Sequence, residues 1–229
     1  MSPTKPWSGG GRESLADAVR RLMTTVVAAA APPEVLRRAA ESAGRLADEL
    51  GGYLPAPGRE PRARFAEGRV EQGRADSMAE AMPFDMIVGS CNPVAPPISI
   101  VFAPPKAIGT VRFTPQYEGA PGCVHGAALA GAFDIILTAA NFMAMAAGPT
   151  VELTIRYRKP TLIAEPAVFE GWVTERTGRR IHSAGRLLQG DVVTVEATGV
   201  FVEMERSRIQ SLHRRPQRRR PSEAAPETE

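Results

Sequence analysis

Residues 117–134 read YEGAPGCVHGAALAGAFD, and residues 149–161 read PTVELTIRYRKPT. From Gly126 to Gly148 every residue is apolar, small or neutral except Asp134. This pattern predicts a helix from His125 to about Met145, ended by Gly148-Pro149. The following stretch changes period. Val151, Leu153, Ile155 and Tyr157 fall on one face, and Glu152, Thr154, Arg156 and Arg158 on the other, the two-residue repeat of a strand. Three more strand-like runs follow at 167–176, 180–188 and 192–203, with turns at Thr177-Gly178 and Gly190-Asp191. Consecutive antiparallel strands form a meander whose apolar face needs a cover, and helix 125–145 is the segment of matching size and apolarity. The class is therefore α+β, with an antiparallel sheet around a long central helix.

A helix apolar all round is buried on all sides. A lone carboxylate there is costly unless it is paired or changes its protonation. Asp134 thus has two readings: a functional group, or a partner for a neighbouring loop or a strand arginine. The run is also long enough to cross a bilayer, but Asp134 near its middle would cost about 2.5–3.5 kcal/mol in lipid, and soluble-type strands follow. A buried core helix is expected, with no transmembrane segment. At the other end, Pro121-Gly122-Cys123-Val124-His125-Gly126 is a tight loop running into a first helical turn, where backbone N–H groups lack intrahelical acceptors. Such groups stabilise a developing oxyanion, and Gly126 offers no side chain to block approach. Read alone, this is also an ordinary glycine-rich helix start. Asp134 follows His125 by nine residues, about 900° of rotation and about 13 Å of helix. If both elements are functional, one chain cannot bring them to one carbon, whereas two antiparallel helices about a two-fold axis can.

Working outward, the chain of 229 residues has 43% hydrophobic and 23% charged residues, the balance of a globular protein. Its aromatic share of 6% is thin for a base-stacking surface, and no specific nucleic-acid partner is expected. Cys91 and Cys123 make neither a disulfide framework nor a metal-ligand spacing, which suits a reducing cytoplasm. The opening MSPTKPWSGGGRE has no apolar signal region. The expected organisation is a disordered segment 1–12, a helical hairpin 13–52, a linker 53–82, a core domain 83–205 and a disordered basic tail 206–229. In the hairpin, Ser14 and Asp17 resemble an N-cap pair, Pro32-Pro33 separates the helices, and Gly51-Gly52 stops the second. Residues 83–97 are proline-rich and irregular, and 98–103 and 108–114 read as short strands. Gly199 marks a bulge or a close approach in the last strand.

The strings quoted at the outset closely resemble the PaaI-type branch of hotdog-fold thioesterases, the 4HBT-like branch that includes thioesterase superfamily member 4. The resemblance covers about residues 85–204. Its motif is His-Gly-Gly with an Asp nine residues after the His, met here by His125, Gly126 and Asp134, and in some members a Thr sixteen residues further on, met by Thr150. The Tyr-x-Lys-Pro ending at 157–160 also fits. The resemblance implies a hotdog fold and hydrolysis of acyl-CoA without metal or cofactor. It implies that the Gly126 N–H polarises the thioester carbonyl, that Asp134 of a partner chain acts as base or nucleophile, that Thr150 positions the carboxylate or water, and that His125 shapes the loop. It implies a homodimer or homotetramer. Ala127 stands where the motif has its second glycine, a departure that narrows the approach to the site if its methyl faces the substrate.

Other residues have weaker claims. Arg156, Arg158 and Lys159 suit CoA phosphates, and equally a solvated strand face. Cys123 beside His125 suggests a Cys–His pair, but no third orienting group is evident. His182 reads as a surface residue. Met143 and Met145 belong to the core or an acyl pocket. Two rivals to hydrolysis stand: a non-catalytic acyl-CoA-binding or regulatory hotdog module, suggested by Ala127, the helical arm and the Arg-rich tail, and a hotdog hydratase, whose Asp-x-x-x-x-Asn-x-His pattern is absent.

Overall fold

The computed structural model describes residues 11–55, 78–79, 82–146 and 148–204. Residues 1–10 of the expected disordered segment, most of the linker and the basic tail fall outside the described residues, and Arg12, placed in that segment, opens the first helix. Two helices come first, α1 (Arg12–Ala28) and α2 (Pro33–Gly51). Then come β1 (Ser99–Ala103), β2 (Lys106–Arg112), the long helix α3 (Gly126–Met143), β3 (Thr150–Tyr157), β4 (Pro166–Thr177), β5 (Arg180–Gln189) and β6 (Val192–Val202). The six strands form one sheet in the order β1-β2-β4-β5-β6-β3, and every neighbouring pair is antiparallel. Gly178 and Gly190 turn the chain with φ of 58° and 57°, values at which a side chain is strained.

The sheet wraps α3 because small residues lie beneath it. Ala107, Gly171, Gly185 and Ala197 are register partners across β2, β4, β5 and β6. All four are buried. Into this row sink Phe133, Ile136 and Leu137 of α3, each with no more than 5% of its surface exposed. A Cβ on Gly171 would lie 2.7 Å from Ile136 Cγ2 and 3.1 Å from the Ile136 carbonyl oxygen. A Cβ on Gly185 would lie 2.7 Å from the Glu170 carbonyl oxygen and 3.2 Å from Leu137 Cδ2. Gly199 is likewise a close approach, 3.0 Å from Leu137 Cδ1 once a Cβ is added. The irregularities of β6 lie elsewhere, one of them opposite Leu187/Leu188. The apolarity of α3 is thus that of a core helix, although its length and composition would also suit a membrane span.

Several boundaries differ from the sequence reading. α1 begins at Arg12 after Gly11, not at Ser14, and Asp17 pairs with Arg20 instead of capping. β2 starts two residues early because Ala103 and Lys106 pair across a tight Pro104-Pro105 turn. The irregular segment before β1 is part of the core: Ile87, Val88, Ala95 and Ile98 are buried, and Ile87 Cδ1 would lie 2.6 Å from a Cβ on Gly131 of α3. α1 docks on this segment through Arg20, whose guanidinium donates to the Ala95 and Asn92 carbonyls at 2.9 and 3.0 Å.

The alternation expected of β3 breaks at its start. Val151 is 57% exposed, because Thr150 pairs with Phe201 while Glu152 pairs with Val200, leaving Val151 as an extra residue. This is a β-bulge. It moves Thr150 onto the face that Leu153, Ile155 and Tyr157 share, the place Val151 would otherwise hold.

Gly171→Ala is expected to destabilise the fold by about 1–3 kcal/mol through overpacking against Ile136. A denaturant titration at constant m-value checks this.

Candidate active site

The site begins in the loop before α3. Residues 117–125 fold back on themselves: the His125 N–H donates to the Tyr117 carbonyl at 2.7 Å, and the Gly119 N–H to the Cys123 carbonyl at 2.9 Å. Gly122 takes φ of 74°, and its N–H donates to the Glu118 carboxylate. The Val124 N–H donates to the Thr161 carbonyl at 2.8 Å, tying the loop to the chain beyond β3. Tyr117 anchors the base of the loop through its hydroxyl, which donates to the Val94 carbonyl at 2.7 Å. Burial pushes this phenol above its ordinary pKa and keeps it neutral.

His125 is the N-cap of α3, and its Nδ1 accepts from the Ala127 N–H at 3.0 Å. An imidazole nitrogen that accepts carries no proton, so a neutral ring holds its hydrogen on Nε2. The Ala128 N–H is taken by the His125 carbonyl at 3.0 Å. Among the described residues, the Gly126 N–H is left without an acceptor in this first turn, where the helix dipole adds partial positive charge. His125 therefore holds the loop and consumes the neighbouring donor, and with Nδ1 so engaged it is no base for Cys123. The other thiol, Cys91, is buried, and burial pushes its pKa up, away from the reactive thiolate.

An open cleft of about 710 Å³ lies over this helix start, lined by Glu118, Gly119, Ala120, Cys123, Val124, His125, Gly126, Leu129 and residues 157–161. His125, Gly126, Arg158 and Lys159 thus meet at one cleft. Arg158 is held by Glu196 at 2.7 Å. Arg156 opens instead into a separate cleft on the sheet, beside Trp172, Arg186 and Glu196. Ala127 is exposed and is not part of the first cleft's wall. Its methyl leaves the approach to Gly126 within this chain open. His182 is half-buried and lines neither cleft, and Met145 is 63% exposed beyond the end of α3.

Asp134 and Thr150 form a second cluster. The Thr150 hydroxyl donates to Asp134 Oδ1 at 2.6 Å, a short charge-assisted bond when the carboxylate is ionised. Asp134 is half-buried, not sealed as the all-apolar helix suggested. It lies on a stripe with Ala127, Ala130, Gly131 and Thr138 that the sheet leaves partly uncovered. Neither Asp134 nor Thr150 lines the cleft at Gly126, and eight residues of helix separate Asp134 from Gly126, about 12 Å. Among the described residues, no group of three or more His, Cys, Asp or Glu side chains comes together as a metal site would require.

Tyr157 is a contact that the sequence did not single out for this role. Its hydroxyl donates to the Gly126 carbonyl at 2.9 Å, and a Cβ on Gly126 would come within 3.0 Å of that hydroxyl. The signal was present in the Tyr-x-Lys-Pro ending of β3, but the pairing of strand end with helix start depends on the fold.

A helix wrapped by an antiparallel sheet, with a cleft at the helix start and a carboxylate part-way along it, defines a hotdog-fold protein. The thioesterase superfamily model matches residues 121–196. The crystal structure of a thioesterase superfamily protein superposes with a TM-score of 0.71 at 30% identity, covering 86% of this chain and 92% of that one. The chain belongs to the thioesterase superfamily. Acyl-coenzyme A thioesterase THEM4 of Bos taurus is 28% identical over 93 residues, or 40% of this chain, and the match spans 38% of that relative's length. Thioesterase superfamily member 2 of zebrafish matches with a TM-score of 0.44 at 19% identity over 47% of this chain and 81% of that one.

Tyr157→Phe and Gly126→Ala should each lower stability by about 0.5–1.5 kcal/mol by breaking the same hydrogen bond. The double variant should lose less than the two together, a shortfall that a double-mutant cycle of thermal or denaturant melts would measure.

Proposed function

We propose that this protein hydrolyses acyl-CoA thioesters to a free acid and CoA, working as a homodimer in which each site draws on both chains. The observation that carries this reading is the pair of separated elements on α3: an unengaged Gly126 N–H at a cleft, and Asp134 oriented by Thr150 some way along the same helix. Family membership supports the reaction class, and the name of the bovine relative supports CoA as the thiol.

In this reading the thioester carbonyl oxygen sits at the Gly126 N–H, and its developing charge is stabilised there. Asp134 of the partner either takes a proton from the attacking water or attacks the carbonyl carbon itself. The carbon–oxygen bond forms, the carbon–sulfur bond breaks, and the CoA thiolate leaves to be protonated. If Asp134 attacks, water then hydrolyses the resulting mixed anhydride. Thr150 holds the carboxylate through its hydroxyl. Lys159, with Arg158, supplies positive charge at the cleft for CoA phosphates. Arg156 would reach them only in an assembly that joins its cleft to the first. His125 keeps the loop in place and leaves Gly126 as the open donor.

Thiol release from a panel of acyl-CoAs tests the proposal. Asp134→Asn should cut turnover at least about 100-fold with fold and oligomeric mass unchanged, and full activity in that variant would sink the mechanism. Label in the Asp134 carboxylate after a single turnover in ¹⁸O-water would assign it the nucleophilic role, since a base that only activates water acquires none. Tight acyl-CoA binding without any thiol release would establish a binding module instead.

A further inference from the structure

We propose that Arg20 of α1 is a positioning residue for the reaction: through segment 92–95 and Tyr117 it holds the loop that presents the Gly126 N–H. This rests on the hydrolytic reading above. No residue of α1 lines the helix-start cleft, so Arg20 acts only through others. Its side chain is 15% exposed. The guanidinium donates through Nε to the Ala95 carbonyl at 2.9 Å and through a terminal nitrogen to the Asn92 carbonyl at 3.0 Å, while Asp17 engages the other terminal nitrogen. One rigid planar fork thus grips both ends of a turn that Ala95 N–H and the Asn92 carbonyl close at 3.1 Å. The Asn92 side chain braces the same turn, accepting from the Val94 N–H and donating to the Phe84 carbonyl, both at 3.0 Å.

Inside that turn lies Val94, whose carbonyl accepts the Tyr117 hydroxyl at 2.7 Å. The Tyr117 ring also meets the buried Phe113 ring edge-on, centroids 5.9 Å apart. Tyr117 in turn accepts the His125 N–H on its own carbonyl at 2.7 Å, and His125 caps α3 directly before Gly126. A second strut runs beside this chain of contacts. Thr24, one turn along α1 from Arg20, donates to Gln116 Oε1 at 2.8 Å, within the short 3-10 turn Pro115–Tyr117. α1 therefore holds both the segment that anchors Tyr117 and the turn that carries it. A donor aimed at a carbonyl oxygen gains most as charge develops on that oxygen, so its displacement is felt in the transition state more than in binding. Substrate binding through Arg158 and Lys159 is left as it is, and loosening α1 should lower kcat while sparing KM.

Two full-length variants test the linkage. Arg20→Met keeps an unbranched apolar stem and removes the fork, and Tyr117→Phe keeps the ring against Phe113 and removes the hydroxyl. Each should lower kcat for acyl-CoA about tenfold with KM nearly unchanged. The double variant should fall about tenfold as well, not the roughly hundredfold of independent effects, because both cut one chain of contacts. Amide hydrogen exchange read by mass spectrometry should rise in residues 117–128 of each variant, while β4, β5 and β6 exchange as in the wild type. Arg21→Met, on the exposed side of α1, should change neither measurement. Unchanged kcat, additive losses, or unchanged exchange in 117–128 overturns the proposal. Exchange that rises throughout the sheet also overturns it, since Arg20 would then only stabilise the fold. If Arg20→Met does not fold, Tyr117→Phe decides by the same two readouts. A wild type that releases no thiol from any acyl-CoA fails the hydrolytic reading instead, and exchange alone then decides whether Arg20 holds the loop.

Discussion

The architecture depends on how closely α3 lies against the sheet. Ala107, Gly171, Gly185 and Ala197 cross four strands in register, and Ile136 and Leu137 occupy the space that larger side chains would fill. Close packing of this kind offers no slack, since a single added methyl must displace either a side chain or a carbonyl. The helix is thereby held at a fixed depth, and its first turn and its carboxylate are held with it. The partly exposed stripe through Ala127, Ala130 and Asp134 follows from the same fact: the sheet grips one side of the helix and leaves the other.

The sequence was a good guide wherever period and punctuation carry the information. The apolar run of α3, the meander β4-β5-β6 and the glycine turns at 178 and 190 are all local patterns, and each appears near its expected place. What was not legible is what arises between segments. The row of small residues makes sense only once strands are in register, so nothing local in the sequence marked Gly171 and Gly185 as seats for the helix. The segment carrying Ile87 and Val88 has no period, yet it is buried against α3 because that helix left room at Gly131. Asp134 looked sealed in an apolar helix because composition cannot tell which side of a helix lacks a neighbour.

The two clusters on α3 share one element that neither announces. β3 is one of the two edge strands of the sheet. Its first residue, Thr150, holds Asp134, and its last, Tyr157, holds the carbonyl of Gly126. Edge strands ordinarily leave backbone groups unpaired and are open to further pairing. Here the edge fastens the helix at two points along its length, so the distance between the amide donor and the carboxylate is set by strand and helix together.

That double fastening rests on a matter of parity. Thr150 and Tyr157 are seven positions apart, an odd interval, and in a regular strand they would point to opposite sides. The extra residue at Val151 reverses the phase and lets both reach α3. The spacing of sixteen between Asp134 and Thr150 therefore has no fixed meaning by itself. A related chain with the same letters at the same interval, but with an unbroken ladder, would turn its threonine outward and leave its aspartate unheld. A chain that had lost one residue there could keep the pairing with whatever hydroxyl the shift brought into line.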